Sequence, residues 1–146
     1  MPALSKAFES LERPGLVVSY KLSNVQVWKG ALLGVNSSGF ALPMAHGTAN
    51  LRFIGVANES VNNASGSAGD KSVNVTKAGS FVFTPNSGYT PAQGDLGAEV
   101  YAVNDNQVQI VTTGLTSAYK IGTVSALENT SLGSAGVRVR IDRYTL

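Results

Sequence analysis

From Leu16 onward the apolar positions of this chain recur every second residue. Val18 and Tyr20 alternate with Val17 and Ser19, and Val25-Gln26-Val27-Trp28 continues the pattern. Ala31 to Val35 reads as a further strand, closed by the turn signal Asn36-Ser37-Ser38-Gly39. Phe40-Ala41-Leu42-Pro43 leads into a loop through His46 and Gly47, and Leu51 to Val56 is another strand. Asn62 to Asp70 is a glycine- and serine-rich loop, after which Val73-Asn74-Val75-Thr76 alternates cleanly. Tyr119 to Val124 and Val137 to Ile141 supply the last strands. In Val137-Arg138-Val139-Arg140-Ile141 the branched residues face a core and both arginines share the outer face. Roughly ten short strands, frequent turn signals and no convincing long helix predict an all-β fold, an antiparallel barrel or sandwich.

The stretch from Lys77 to Val111 carries the densest information. Phe81 and Phe83 share one face of a short extended run that Pro85-Asn86-Ser87-Gly88 ends. Thr90-Pro91-Ala92-Gln93 then gives a helix-start signal: Thr90 as cap, Pro91 at the first position, Gln93 as the return partner of a capping box. Gly94 and Gly97 stop the turn almost at once. Val100 and Ala102 alternate with Tyr101 and Val103, Asn104-Asp105-Asn106 reverses the chain, and Val108 and Ile110 alternate on the return. This is the pattern of a β-hairpin.

Residues 1–14 stand apart as an N-terminal arm, leaving 15–146 as one β domain. Leu4, Phe8 and Leu11 fall at i, i+4 and i+7, one apolar stripe if the arm is a short helix, which Arg13-Pro14-Gly15 would end. A helix this short is marginal in water, so the arm is expected to dock, on its own domain, a neighbouring copy or a larger lattice.

Composition sharpens the picture. At 146 residues, length gives a single-domain prior, and 43% hydrophobic residues support a packed core. Charged residues make up only 14%, well below the roughly 25% usual for soluble domains. A low-charge surface suits a protein that faces other subunits, because interface cores are depleted of charge. The net charge of +2 comes without any basic run, which argues against nucleic acid as partner. Cysteine is absent, so disulfides, thiolate metal sites and a cysteine nucleophile are excluded. No apolar run reaches the ~18 residues of a membrane-spanning helix, and no signal-peptide core is expected near Met1 to Leu16.

The order G-x-F-x-F, N-S, T-P-A-Q-G-D-L-G, V-Y-A-V-N-D-N-Q-V between Gly79 and Val108 resembles the phage head decoration, or capsid cement, family. Flanking segments extend the resemblance: Arg52 to Ala57, Val61 to Asp70 and Val73-Asn74-Val75 upstream, Ile121 to Val124 and Val137 to Ile141 downstream. It covers the chain from about Gly30 to Ile141, while the first 29 residues resemble nothing known. Where relatives tend to carry an aspartate pair at the hairpin tip, this chain has Asn104-Asp105, which leaves the turn intact. The resemblance implies a structural protein on the outer surface of the virion capsid that bridges neighbouring major capsid protein subunits. Its implied partners are that coat protein and further copies of itself, a trimer before a dimer, with no nucleic acid, membrane or cofactor. Independently of the family, sequence pattern nominates Leu4, Phe8 and Leu11 as apolar anchors and Arg138 and Arg140 as polar contacts. Two alternatives stand beside this reading: a glycan or host-surface binding module displayed on the virion, and a head–tail or tail component.

Candidate chemistry is thin. His46 is the only histidine and is expected as a solvated loop residue, with no nucleophile or acid placed beside it. Gly66-Ser67-Ala68-Gly69-Asp70-Lys71-Ser72 has Asp70 between glycine and lysine, and a strand pattern follows it; it is a loop between strands, not a phosphate cradle. Asp95, Glu99 and Asp105 are the nearest approach to a carboxylate cluster, but turn chemistry accounts for both aspartates. Trp28, Tyr89, Tyr101 and Tyr119 would make a sugar-stacking platform only if they shared a face. No enzymatic activity is expected.

Overall fold

A computed structural model describes residues 15–141. The expected arm, with Leu4, Phe8 and Leu11, lies outside the described residues, as does the chain end from 142 to 146.

The structure is all-β, with twelve strands among the described residues. Five of them form an open sheet in the order β1 (Val17–Lys21), β7 (Ser72–Thr76), β5 (Arg52–Ala57), β3 (Leu32–Val35) and β4 (Ala41–Pro43). A two-stranded ladder joins β2 (Gln26–Val27) to β6 (Val61–Asn62). The other five close into a barrel: β8 (Ser80–Pro85), β9 (Glu99–Ala102), β10 (Gln107–Gln109), β11 (Lys120–Asn129) and β12 (Ala135–Arg140). Both architectures expected from the strand pattern are therefore present, a barrel and a sheet layered on it.

The expectation of a wholly antiparallel fold needs correction. β10 pairs β8 in parallel, with Gln107 opposite Thr84 and Val108 opposite Pro85. Parity requires it: directions that alternate around a closed ring of five strands cannot match up at the seam, so one pair must run the same way. The long connection from Asn86 to Asn106 supplies the crossover that a parallel pair needs.

Two apolar clusters hold the layers. Phe83, Val100, Ala102, Val108, Ile121, Val124, Val137, Val139 and Ile141 fill the barrel and meet Leu32, Met44, Leu51, Phe53 and Val56 from one side of the open sheet. The other side of that sheet packs Leu22, Leu33, Ile54, Ala57, Val73 and Val75 beneath the β2–β6 ladder with Val27. Being covered on both faces explains why β5 buries five consecutive residues where a one-sided strand would alternate. A β-bulge sits here as well. Leu33 pairs Gly55 and Gly34 pairs Phe53, so Ile54 is the extra residue, and Phe53 and Val56 reach the same core despite an odd spacing.

The central stretch folds largely as expected. Phe83 is buried and Phe81 packs beside it, ring centroids 6.4 Å apart. Asn104 Oδ1 accepts from the main-chain N–H groups of Asn106 and Gln107, which fixes the β9–β10 reversal. The helical turn begins later than its signal. It is a single 3₁₀ turn, Gln93–Asp95, capped at Ala92, and Asp95 rather than Gln93 reaches back to accept from the Ala92 N–H at 2.8 Å. Thr90 and Pro91 precede it, because a turn of three residues leaves no room for the longer box.

Candidate functional surfaces

The sequence-nominated arginines lie where the alternation puts them. Val137, Val139 and Ile141 are buried, while Arg138 and Arg140 are exposed on the outer face of β12. Arg138 meets Glu128 across the hairpin at 3.1 Å. Both partners are about half exposed, so the pair contributes at most about 1 kcal/mol and holds the side chains more than it holds the fold.

The β11–β12 hairpin is the longest among the described residues, and sequence reading missed the distal half of β11. β11 continues to Asn129, past a register shift between Val124 and Ala126 where Ser125 Oγ donates to the Arg138 carbonyl. Its bonds toward β9 and the segment before it end at Val124, which exchanges main-chain bonds with Gly97 and Ala98. From Ser125 to the tip no strand among the described residues pairs with the hairpin on that edge. At the tip Leu132 is 92% exposed, and Leu127 is exposed below it. An isolated exposed leucine is ordinary on a protein surface; Leu132 is set apart by its place at the apex of a hairpin. The signal was present in Leu132-Gly133, an apolar residue inside a run of Thr, Ser and Gly.

The carboxylates do not converge. Asp95 accepts from the Tyr89 hydroxyl at 3.0 Å and from Ala92, both local turn bonds. Burial, reinforced by that bond to Asp95, pushes the Tyr89 phenol up to about 12. Glu99 is on the exposed face of β9, its carboxyl held below the usual range by hydrogen bonds from Lys120 and Tyr101. The same contact with Glu99 raises Tyr101. Asp105 belongs to the hairpin tip. Among the described residues no three His, Cys, Asp or Glu side chains are grouped to hold a metal.

His46 departs from its expectation. It is half-buried and tied into the structure: Nδ1 accepts from the Thr116 N–H, its carbonyl accepts from Ser117, and its N–H donates to Val103. It staples the Ala45–Thr48 turn to the loop before β11. The glycine-rich loop is likewise structural. Asn63, at its start and buried, donates through Nδ2 to the carbonyls of Ser67 (2.9 Å), Ser23 (3.0 Å) and Leu22 (3.4 Å). As expected, a strand follows the loop.

No protein-family model, curated protein or solved structure matches this chain.

The four aromatics do not form one platform. Tyr119 is half-buried, donating to the Thr48 carbonyl and accepting from the Leu51 N–H. Tyr89 lines a groove of about 450 Å³ with Asn86, Gln109, Ile110 and Val111. Gln109 is buried there with both ends engaged, accepting from Asn86 and donating to the carbonyls of Val111 and Thr113. Trp28 lines a different groove, of about 370 Å³, between the sheet and the barrel.

Proposed function

We propose that this chain is a structural virion protein that binds the outer surface of a phage capsid and bridges neighbouring coat subunits. The observation that carries the reading is where the family-like segments fall. G-x-F-x-F is on β8, T-P-A-Q-G-D-L-G is the 3₁₀ connection, V-Y-A-V-N-D-N-Q-V is the β9–β10 hairpin, and the downstream pieces lie on β11 and β12. Segments scattered over about sixty residues of sequence make one closed barrel. The downstream half of the resemblance thus falls on one folding unit, and its upstream half, Arg52 to Ala57, Val61 to Asp70 and Val73 to Val75, falls on β5, on β6 with the loop after it, and on β7.

The mechanism is adhesion by shape. Closure pairs the strands of the barrel on both sides at the base of the β11–β12 hairpin and leaves an unpaired edge only on its distal half. Leu132 at the tip and Leu127 on one face of the hairpin supply the apolar contact, with Arg138 and Arg140 on its other face as polar contacts. Association of the chain into a trimer repeats that contact, and linkage multiplies weak affinities by about 10²–10⁴ where the geometry fits. Selective binding to the expanded shell then stabilises it by mass action against internal pressure. The arm, with Leu4, Phe8 and Leu11, adds a further anchor.

The test is addition of purified protein to expanded and unexpanded heads lacking it, read by co-sedimentation and cryo-electron microscopy. Saturable binding to expanded heads, with density across capsomer junctions, is expected. Failure to bind heads, or labelling confined to the neck or tail, sinks the proposal. Deleting residues 1–14 without change in occupancy removes the arm from the mechanism.

A further inference from the structure

We propose that the groove at Trp28 is a binding site for a neutral carbohydrate, a function separate from capsid attachment. Trp28 is the chain's single tryptophan, is 62% exposed, and is the only aromatic among the exposed large hydrophobic residues of the described chain. It shares a groove of about 370 Å³ with Lys29, Asp105 and Asn106, and Val82 and Phe83 contribute apolar surface. That volume suits one or two sugar rings.

Both polar walls are pinned before any ligand arrives. On one side, the Trp28 carbonyl accepts from Ala31, Gly30 N–H donates to Ala57, and Lys29 N–H donates to Ser60 Oγ at 2.9 Å. Gly30 takes the positive φ (+92°) that this tight turn requires. On the other, Leu32 N–H donates to the Asp105 carbonyl at 2.8 Å, and Asn104 caps the backbone of Asn106 and Gln107. The side chains of Trp28, Lys29 and Asp105, residues that line the groove, enter no hydrogen bond or ion pair among the described residues, so an indole donor, an ammonium and a carboxylate are left unspent there.

The chemistry selects the ligand. An indole face accepts the C–H face of a pyranose ring, while a carboxylate and an amide take up its rim hydroxyls. One cation beside one anion leaves the groove without net charge, which favours a neutral ring over sialic acid or phosphate. A protein partner would call for apolar surface, and the exposed leucines and valines lie elsewhere, at Leu16, Val17, Leu96, Val111, Leu127 and Leu132.

Because Trp28 is the sole tryptophan, emission from the full-length protein reports on this groove alone. Titration with lactose, cellobiose and chitobiose, without capsids, is expected to give a saturable emission change for at least one, with a dissociation constant on the order of 1 mM. Asp105→Asn should weaken it at least tenfold with an unchanged circular dichroism spectrum. Saturation-transfer NMR should lose the sugar signal in Trp28→Ala. Absence of a saturable response up to about 50 mM of each sugar overturns the proposal, as does a response that Asp105→Asn leaves intact. An emission change on heads but on no sugar also overturns it, assigning the groove to the capsid contact. Since sugar binding is read on free protein and head binding on capsids, either can fail alone.

Discussion

Gly55 lies against the main-chain carbonyl oxygen of Thr76, with no space between them for a Cβ. Its φ of +142° is itself outside the range that side-chain-bearing residues adopt. Both follow from the bulge at Ile54, which lets β5 feed two cores. Gly55→Ala is therefore expected to destabilise the fold by about 2–4 kcal/mol, combining backbone strain with overlap in the β5–β7 ladder. Gly88→Ala, at a position open to solvent, is the matched control and should move the urea midpoint hardly at all. Equal midpoints for the two variants would refute this account of the bulge.

The same bulge shows how far the sequence could be read. Alternation placed Val100, Ala102, Val108, Val137 and Val139 inward, and all are buried. It placed Asn104 at the reversal, where its side chain makes the turn. Trp28, to which it assigned no face, is 62% exposed. Alternation fails wherever one extra residue resets the phase, and β11 is the clearest loss: its register shift near Ser125 hid the distal half of the strand. Strands of two or three residues such as β2, β4 and β6 carry too few positions to show a period at all, hence twelve strands where about ten were expected. The parallel seam and the Trp28 groove depend on which distant segments meet, which no local pattern encodes. Leu4, Phe8 and Leu11 lie outside the described residues, and Arg138 and Arg140 are placed together on one exposed face.

Asn63 gathers three carbonyls that belong to two separate segments, Leu22–Ser23 and Ser67. Asn63→Asp would set carboxylate oxygens against all three, and Asn63→Ala would remove the donor that joins them, leaving each carbonyl only its main-chain partner, the N–H of Gly69, Val25 or Asp70. Each lost hydrogen bond costs about 0.5–1.5 kcal/mol, so a loss of about 2 kcal/mol is expected for Asn63→Ala and a larger one for Asn63→Asp, which adds repulsion. Chemical denaturation measures it, and hydrogen exchange should show the Asn63–Asp70 loop opening first. A change below about 0.5 kcal/mol, the usual surface value, would contradict the clamp.

Tyr89 should ionise late, well above the ordinary tyrosine value of 10. With its phenol raised from 10 to about 12, chiefly by burial and then by Asp95, the folded state holds the proton more tightly than the unfolded chain does. The sign follows: this contribution to stability is complete below pH 10 and is lost as pH rises from 10 through 12. Spectrophotometric titration should resolve the late tyrosine, and Asp95→Asn should move it part of the way back toward 10, since burial remains. A titration in which Asp95→Asn leaves the late phase unmoved would mean that the hydrogen bond contributes nothing.

The tip of the β11–β12 hairpin separates stability from adhesion. Leu132, almost wholly exposed, contributes nothing to the core, so Leu132→Ser should leave the thermal midpoint unchanged, within about 0.5 kcal/mol. If the tip inserts into the coat lattice, the same substitution removes an anchor, and affinity for expanded heads should fall about tenfold or more. Arg138→Ala should cost less, because the rim of an interface stays wet and Arg138 is already shared with Glu128. Occupancy measured by co-sedimentation at limiting protein gives the comparison directly. If the double variant Leu127→Ser, Leu132→Ser decorates heads as well as the parent, the hairpin faces solvent in the assembled shell and the contact must be sought on another face of the barrel.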